Sequence, residues 1–268
     1  MKKWHIQYRR YFHNIVLVAI TVAVAIIFLV PAAWSQKTSF SAYHQPEKLD
    51  LYDTNPQADT GMTCVGCMYT EFYPIGWSRQ GEFAYFTFFD DYDASGMAWL
   101  NLYIFDAKKD TIAAQLAPEK DYWTETPVDT IWQENKKLFT RLLDSFKIVQ
   151  QKVELLKFPL ETVVHGEKDD TMHYAWRADT DWVEPDSSPY GFPCYDSLVI
   201  KLFTNKGGFE KVIYSQFGDY VAIGFSIPGY FQDPFDPYVY LVPLVLWHRG
   251  WEGPPNTMSI TPIGVVLE

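Results

Sequence analysis

The sequence predicts a mostly β protein with one long α-helix, its strands running as antiparallel meanders in a partial propeller-like or sandwich-like assembly. Three observations lead there. From Tyr73 onward, short aromatic-rich runs alternate between glycine-centred turns. A similar frame returns from Tyr214. Between the two, a single stretch carries apolar residues at helical spacing.

The chain opens with Lys2, Lys3, Arg9 and Arg10 and no acid, followed by the uncharged run "IVLVAITVAVAIIFLV" and then Pro31 and "AAWSQ". A basic segment, an apolar segment and a small-x-small site at Ala33 and Ser35 form the layout of a secretory signal peptide. Cleavage after Ser35 is expected, which makes residues 1–35 a signal peptide and the mature protein secreted or periplasmic. The alternative is an uncleaved anchor over residues 15–34, about long enough to cross a bilayer. Removing four basic residues and no acids would take the formal charge from −11 to −15. A surface that acidic repels phosphate backbones, so nucleic acid is not an expected partner.

Residues 36–62 are polar, contain Pro46 and Pro56, and read as an extended lead-in to one β-rich domain over 63–268. "YPIGWSRQGEFAYFTFF" predicts two strands about a turn at Arg79-Gln80-Gly81. In the second strand Phe83, Tyr85 and Thr87 take one face and Ala84, Phe86 and Phe88 the other. "AWLNLYIFD" and "TIAAQL" complete a four-strand meander. Shifting this segment by 137 positions superposes Ser78 on Ser215, Gly81 on Gly218, Phe83 on Tyr220 and Tyr103 on Tyr240. Residues 78–105 and 215–242 are therefore expected to be quasi-repeated hairpin units, the glycine supplying the turn. The helix is expected over about 127–152, with Thr126 as N-cap, Pro127 at the first helical position and Asp129 in the first turn. Its stripe, including Ile131, Trp132, Phe139, Leu143 and Phe146, predicts packing on a sheet. A strand at Leu160–His165 follows, then a long irregular stretch, "RADTDWVEPDSSPYGFPCYD". The hairpin "SLVIKLFTNKGGFEKVIYS", the second unit and the closing strand "MSITPIGVVLE" end the chain.

"IGWSRQGEFAYFTFFDDYDASGMAWLNLYIFDAKKDTI", the helix after it and "LVLWHRGWEGPPN" resemble a family of predicted secreted bacterial proteins of uncharacterised function. The shared features are a Gly-aromatic-Ser hairpin, a Tyr-x-Ile-x-Asp-like strand and a closing Gly-aromatic-Glu-Gly-Pro turn. The likeness covers about a third of the chain and implies export. It brings no catalytic residues. The Cys-x-x-Cys pair and the aromatic insert near Trp182 depart from that pattern.

Cys64 and Cys67 form the Cys-x-x-Cys. Met68 stands where c-type haem attachment needs histidine, and strand-like sequence stands where a thioredoxin site needs a helix. Cys194 with His44, His165, His173 or His248 could complete a zinc set, but no spacing demands it. A structural disulfide is expected, Cys64 with Cys67, or either with Cys194 as the alternative partner. The long loop closed by Cys194 would be worth about 4–5 kcal/mol in the chain-entropy model. Asp91, Asp93, Ser95 and Gly96 match the first half of a calcium loop, but the twelfth position is Leu102, so an acidic hairpin loop is expected. "GWSRQG" and "GFSIPG" are one residue too long for a lipase elbow and sit among strands.

The irregular stretch is long for a structureless loop, and such loops are often functional. Trp176, Asp179, Asp181, Trp182 and Tyr190 are the expected binding surface, rings for stacking and acids as polar anchors. Since 47 of 268 residues are Phe, Trp or Tyr, acids and rings will also meet by accident. The expected function is therefore non-catalytic binding of a glycan, a cation or an envelope protein, with no cofactor. An envelope carbohydrate hydrolase using two of those acids is the alternative, and disulfide exchange through Cys64 and Cys67 a second.

Overall fold

The computed structural model describes residues 43–51, 68–91, 96–118, 120–164, 170–188, 192–204, 209–250 and 256–267. The signal segment, Cys64, Cys67, Asp93, Ser95 and Tyr190 lie outside the described residues, as does most of the lead-in. Asp91 is described only as the last residue of its strand.

The predicted meander forms as four antiparallel strands: β1 (Met68–Trp77), β2 (Glu82–Asp91), β3 (Met97–Asp106) and β4 (Thr111–Leu116). The β1–β2 turn is closed by Ser78, whose Oγ accepts the backbone N–H of Gln80 at 3.1 Å and of Glu82 at 3.2 Å. Gly81 turns the chain at φ 97°, a conformation that costs a side chain dearly. The two-residue strand β5 (Tyr122–Trp123) then pairs with β3.

The helix, α1 (Val128–Ser145), is shorter than the pattern predicts and is preceded by Pro127 at the cap position, with no side-chain cap bond from Thr126. It stops because Lys147 takes φ 54° and closes a Schellman motif. Ile148 N–H bonds Leu143 C=O at 3.0 Å, and Lys147 N–H bonds Asp144 C=O at 3.0 Å. That reversal sends β6 (Val149–Gln150) back along β1. Gly76 makes room for it, since a Cβ there would lie 2.0 Å from Val149 O.

The later strands are β7 (Leu160–Val164), β8 (Asp170–Val183), β9 (Cys194–Thr204), β10 (Glu210–Ala222), β11 (Gly224–Ser226), β12 (Phe231–Gln232), β13 (Val239–His248) and β14 (Thr257–Val266). They sort into two sheets. A curled ten-stranded sheet runs β11-β13-β14-β1-β2-β3-β4, and a four-stranded antiparallel sheet runs β10-β9-β8-β7. The join between β14 and β1 is parallel. Among the described residues, the mostly β, largely antiparallel class with one helix is the fold the sequence predicts.

Two expectations are corrected. Residues 78–105 form the β2–β3 hairpin, but 215–242 do not repeat it. There β10 stays on β9 through Phe217↔Ser197 and Ala222↔Tyr195, and β11 and β12 both pair with β13. Gly218, at φ 69°, serves a bulge within β10 where Gly81 serves a turn, so one sequence frame yields two structures. The stretch expected to be irregular is also mostly ordered. β8 runs to Val183, a turn at Glu184–Ser188 follows, and β9 begins at Cys194.

His44–Glu268 form one unit with its apolar side chains in layers. Phe72, Trp77, Phe83, Tyr85 and Phe105 face Phe231, Leu241, Val245 and Trp247 inside the curl of the large sheet. On the opposite face of β2, Phe86 stacks on Trp132 of α1 at 5.3 Å. The alternate residues of β13, Tyr240, Val242, Leu244 and Leu246, meet Tyr174, Leu198, Ile200 and Leu202 of the small sheet. Burial on both faces explains the unbroken apolar run of β13. Pro243 within it falls between the positions paired with β12 and with β11, so its missing N–H costs no ladder bond on that side.

A candidate binding cleft beside the small sheet

β7 pairs with β8 only from Leu160↔Tyr174 to Val164↔Asp170, whereas β9 accompanies β8 from Tyr174 to Val183. Beyond Tyr174, β8 therefore has one ladder among the described residues. The chain entering β7 diverges at Lys157–Pro159, while Leu156 bonds Tyr230 in both directions at 2.9 and 2.8 Å. A cleft of about 870 Å³ opens there. Phe158, Trp176 and Phe225 supply its rings, Pro159, Ile227 and Pro228 its aliphatic wall, and Lys157 and Ser226 its polar side chains; the Arg177 side chain alternates to the far face, where it pairs with Glu210. The volume falls in the range of small-ligand sites, and the lining is divided about evenly between polar and apolar surface.

The pleat divides the predicted surface. Trp176 is half-buried, lines the cleft and packs on the core. Asp179 and Asp181 are odd-numbered residues of β8, exposed on the sheet's other face, and neither lines the cleft. Trp182 keeps the alternation of Trp176, and a bulge at Asp196 of β9, between the pairs Asp181↔Ser197 and Trp182↔Tyr195, turns Tyr195 to the same apolar side. There the Trp182 ring meets Tyr195 at 4.9 Å, and Tyr195 meets Phe225 of the cleft wall at 5.5 Å. The structure thus joins Trp176 and, through Tyr195, Trp182, and separates both from the acids.

Asp179 belongs instead to a cross-strand charge ladder. Lys201 Nζ lies 2.8 Å from Asp179 and 3.0 Å from Glu210, and Arg177 lies 2.6 Å from Glu210. The hydrogen bond from Lys201 holds the Asp179 carboxyl below its usual value. A glycosidase acid needs the opposite shift. Asp181 accepts a hydrogen bond from Ser197 at 3.1 Å.

The remaining sequence candidates disperse. Cys194 is buried, its Sγ 3.8 Å from Ser188 Oγ, and its expected partners Cys64 and Cys67 lie outside the described residues. His173 lies 3.3 Å from Glu161, and His248 Nε2 lies 2.9 Å from Ser259 Oγ. Burial lowers the His248 pKa. Among the described residues no three or more His, Cys, Asp or Glu converge as metal ligands. Ser226, within "GFSIPG", stands on β11. Phe158 and Phe225 were missed in the sequence, and the only signal was the proline beside or near each, "FP" and "FSIP". The chain matches no protein-family model, no curated protein and no solved structure.

Proposed function

We propose that this chain is an exported, non-catalytic binding protein and that its ligand occupies the cleft between Phe158, Trp176 and Phe225. The cleft itself carries the reading: three rings line one concavity of ligand size beside a lysine, with no pair of carboxylates among its described lining residues. The ligand class is a compact molecule with a flat apolar body and an acidic end. The body lies against the three rings. The acidic end is met by Lys157. Export rests on the basic-apolar-small leader and on the resemblance to secreted bacterial proteins.

Anilinonaphthalene sulfonate, an aromatic sulfonate, tests the site by fluorescence titration. Saturable one-to-one binding is expected, weakened about tenfold or more by Trp176→Ala, a central aromatic contact. Unsaturable binding, or binding that Trp176→Ala leaves unchanged, would refute the assignment. Amino-terminal sequencing of the exported protein is expected to begin at Gln36, and a start at Met1 would refute cleavage.

A further inference from the structure

The face of β2, β3 and β4 that carries Phe83 and Tyr85 into the core continues outward past Tyr103, and there its chemistry changes. Tyr85 stacks on Tyr103 at 5.1 Å, and beyond Tyr103 the face reaches solvent. Cross-strand pairing sets Thr87 opposite Asn101, Phe89 opposite Trp99, Tyr103 opposite Gln115 and Met97 opposite Trp123. Directly paired residues share a face, and residues two apart along a strand stay on it. Trp99 and Trp123 are therefore diagonal neighbours on one surface. Their exposures are 49% and 70%. Single exposed rings are ordinary, but two adjacent exposed indoles beside a half-buried Phe89 form a platform.

The polar groups at the centre of this platform are uncharged, in a chain with formal charge −11. Gln115 Nε2 donates to Asn101 Oδ1 at 3.2 Å and to Tyr103 Oη at 3.4 Å, and Thr87 also bonds Tyr103. This arrangement fixes two amides side by side. Asn101 Nδ2 and Gln115 Oε1 are the donor group and acceptor that the amide pair does not use. A hydroxyl both donates and accepts, so adjacent ring hydroxyls satisfy such a pair. The C–H face of a pyranose ring suits an indole, being flat, apolar and weakly positive against the negative face of the π-system.

We infer that this strip binds a neutral polysaccharide, Trp99 and Trp123 stacking on sugar rings while Asn101 and Gln115 bond their hydroxyls. From Met97 to Tyr103 the strip runs about 20 Å along β3, room for several rings in a row. Nucleic acid is disfavoured by the absence of cations among the strip's central groups, and an acidic polysaccharide by the same feature. The strip shares no residue with the cleft lining, so the two sites stand or fall separately.

Native electrophoresis in gels containing hydroxyethylcellulose, laminarin or soluble starch tests the inference, with polygalacturonate as the charged comparison. Retardation by at least one neutral polymer is expected, and high salt leaves it unchanged. Trp99→Leu, which keeps apolar bulk but removes the ring, and Trp123→Ala each weaken it about tenfold or more. Gln115→Ala weakens it about fivefold, the worth of a net hydrogen bond. Trp99→Phe retains part of the affinity, and Trp176→Ala in the cleft retains all of it. Trp123 is so exposed that its loss leaves the fold intact, as far-UV circular dichroism will report. No retardation by any of the three neutral polymers overturns the inference. So does wild-type retardation of Trp99→Leu, or retardation by polygalacturonate alone. Sedimentation showing a dimer that Trp123→Ala dissolves, with no response to polysaccharide, would make the strip a protein contact and equally overturn it.

Discussion

Replacing Trp132 by alanine removes the side chain that ties α1 to the large sheet. Trp132 is fully buried, its ring 5.3 Å from that of Phe86 and 5.2 Å from that of Phe139. Truncations of this kind cost about 3–5 kcal/mol through lost transfer energy and the cavity left behind. For a unit of this size, that lowers Tm by about 10 °C. Phenylalanine at the same position separates two contributions. It keeps a ring against Phe86 and Phe139 but loses the volume of the second ring, a cost of about 1–3 kcal/mol. It also removes an indole N–H that is buried without a hydrogen-bond partner. Relief of that group returns about 1–3 kcal/mol. The two nearly cancel, so Trp132→Phe is expected within about 1 kcal/mol of wild type. Urea titration followed by far-UV circular dichroism, with the slope m checked for constancy, gives both differences. If phenylalanine costs as much as alanine, the indole N–H is not an unmet donor and the reasoning fails.

The same logic reaches other sites. Asp233 is buried, with Oδ1 bonded to Phe235 N–H at 2.8 Å and Oδ2 without a partner, and burial raises its pKa. Its protonated form is favoured in the fold, so its contribution to stability is full below the ordinary carboxylate value of 3.8 and fades as pH rises through the folded pKa. Asp233→Asn should therefore gain in Tm relative to wild type as pH rises, and a constant difference would contradict this. Lys201→Met should let Asp179 titrate nearer 3.8 in an NMR pH series. Asp179's pairing supports the fold above that value and is lost as pH falls, so the variant's stability should depend less on acid pH. An unmoved Asp179 titration would rule out the charge ladder. Gly76→Ala would force a Cβ against Val149 O, at 2.0 Å in the present backbone, and should cost about 1–3 kcal/mol in a urea melt. A neutral result would mean that β6 does not lie on β1.

The meander was legible because alternation and a turn glycine agree over β1–β4, and the helix because its stripe of Ile131, Trp132, Phe139 and Leu143 has one period. The helix end was not legible: Lys147 adopts the left-handed conformation that glycine or asparagine usually marks. The supposed repeat failed at Gly218, since a glycine frame signals positive φ but not whether a turn or a bulge will use it. In "AWRADTDWV" the period-2 alternation of a strand was present. Once seen, it separates Trp176 from Asp179 and Asp181 without any coordinates. The cleft was hidden for a different reason. Its walls come from 157–159, 175–177 and 225–228, brought together by the early end of β7 and the bridge between Leu156 and Tyr230. Leu51 adds a fourth segment, and no local pattern encodes a meeting of segments so far apart.

Hydrogen exchange with and without anilinonaphthalene sulfonate tests the central claim, that the cleft holds a small ligand. Protection is predicted in peptides covering Ala175–Arg177 and Phe225–Pro228, with none in those covering Met97–Tyr103. Saturating probe that leaves the exchange of both cleft segments unchanged would contradict the account.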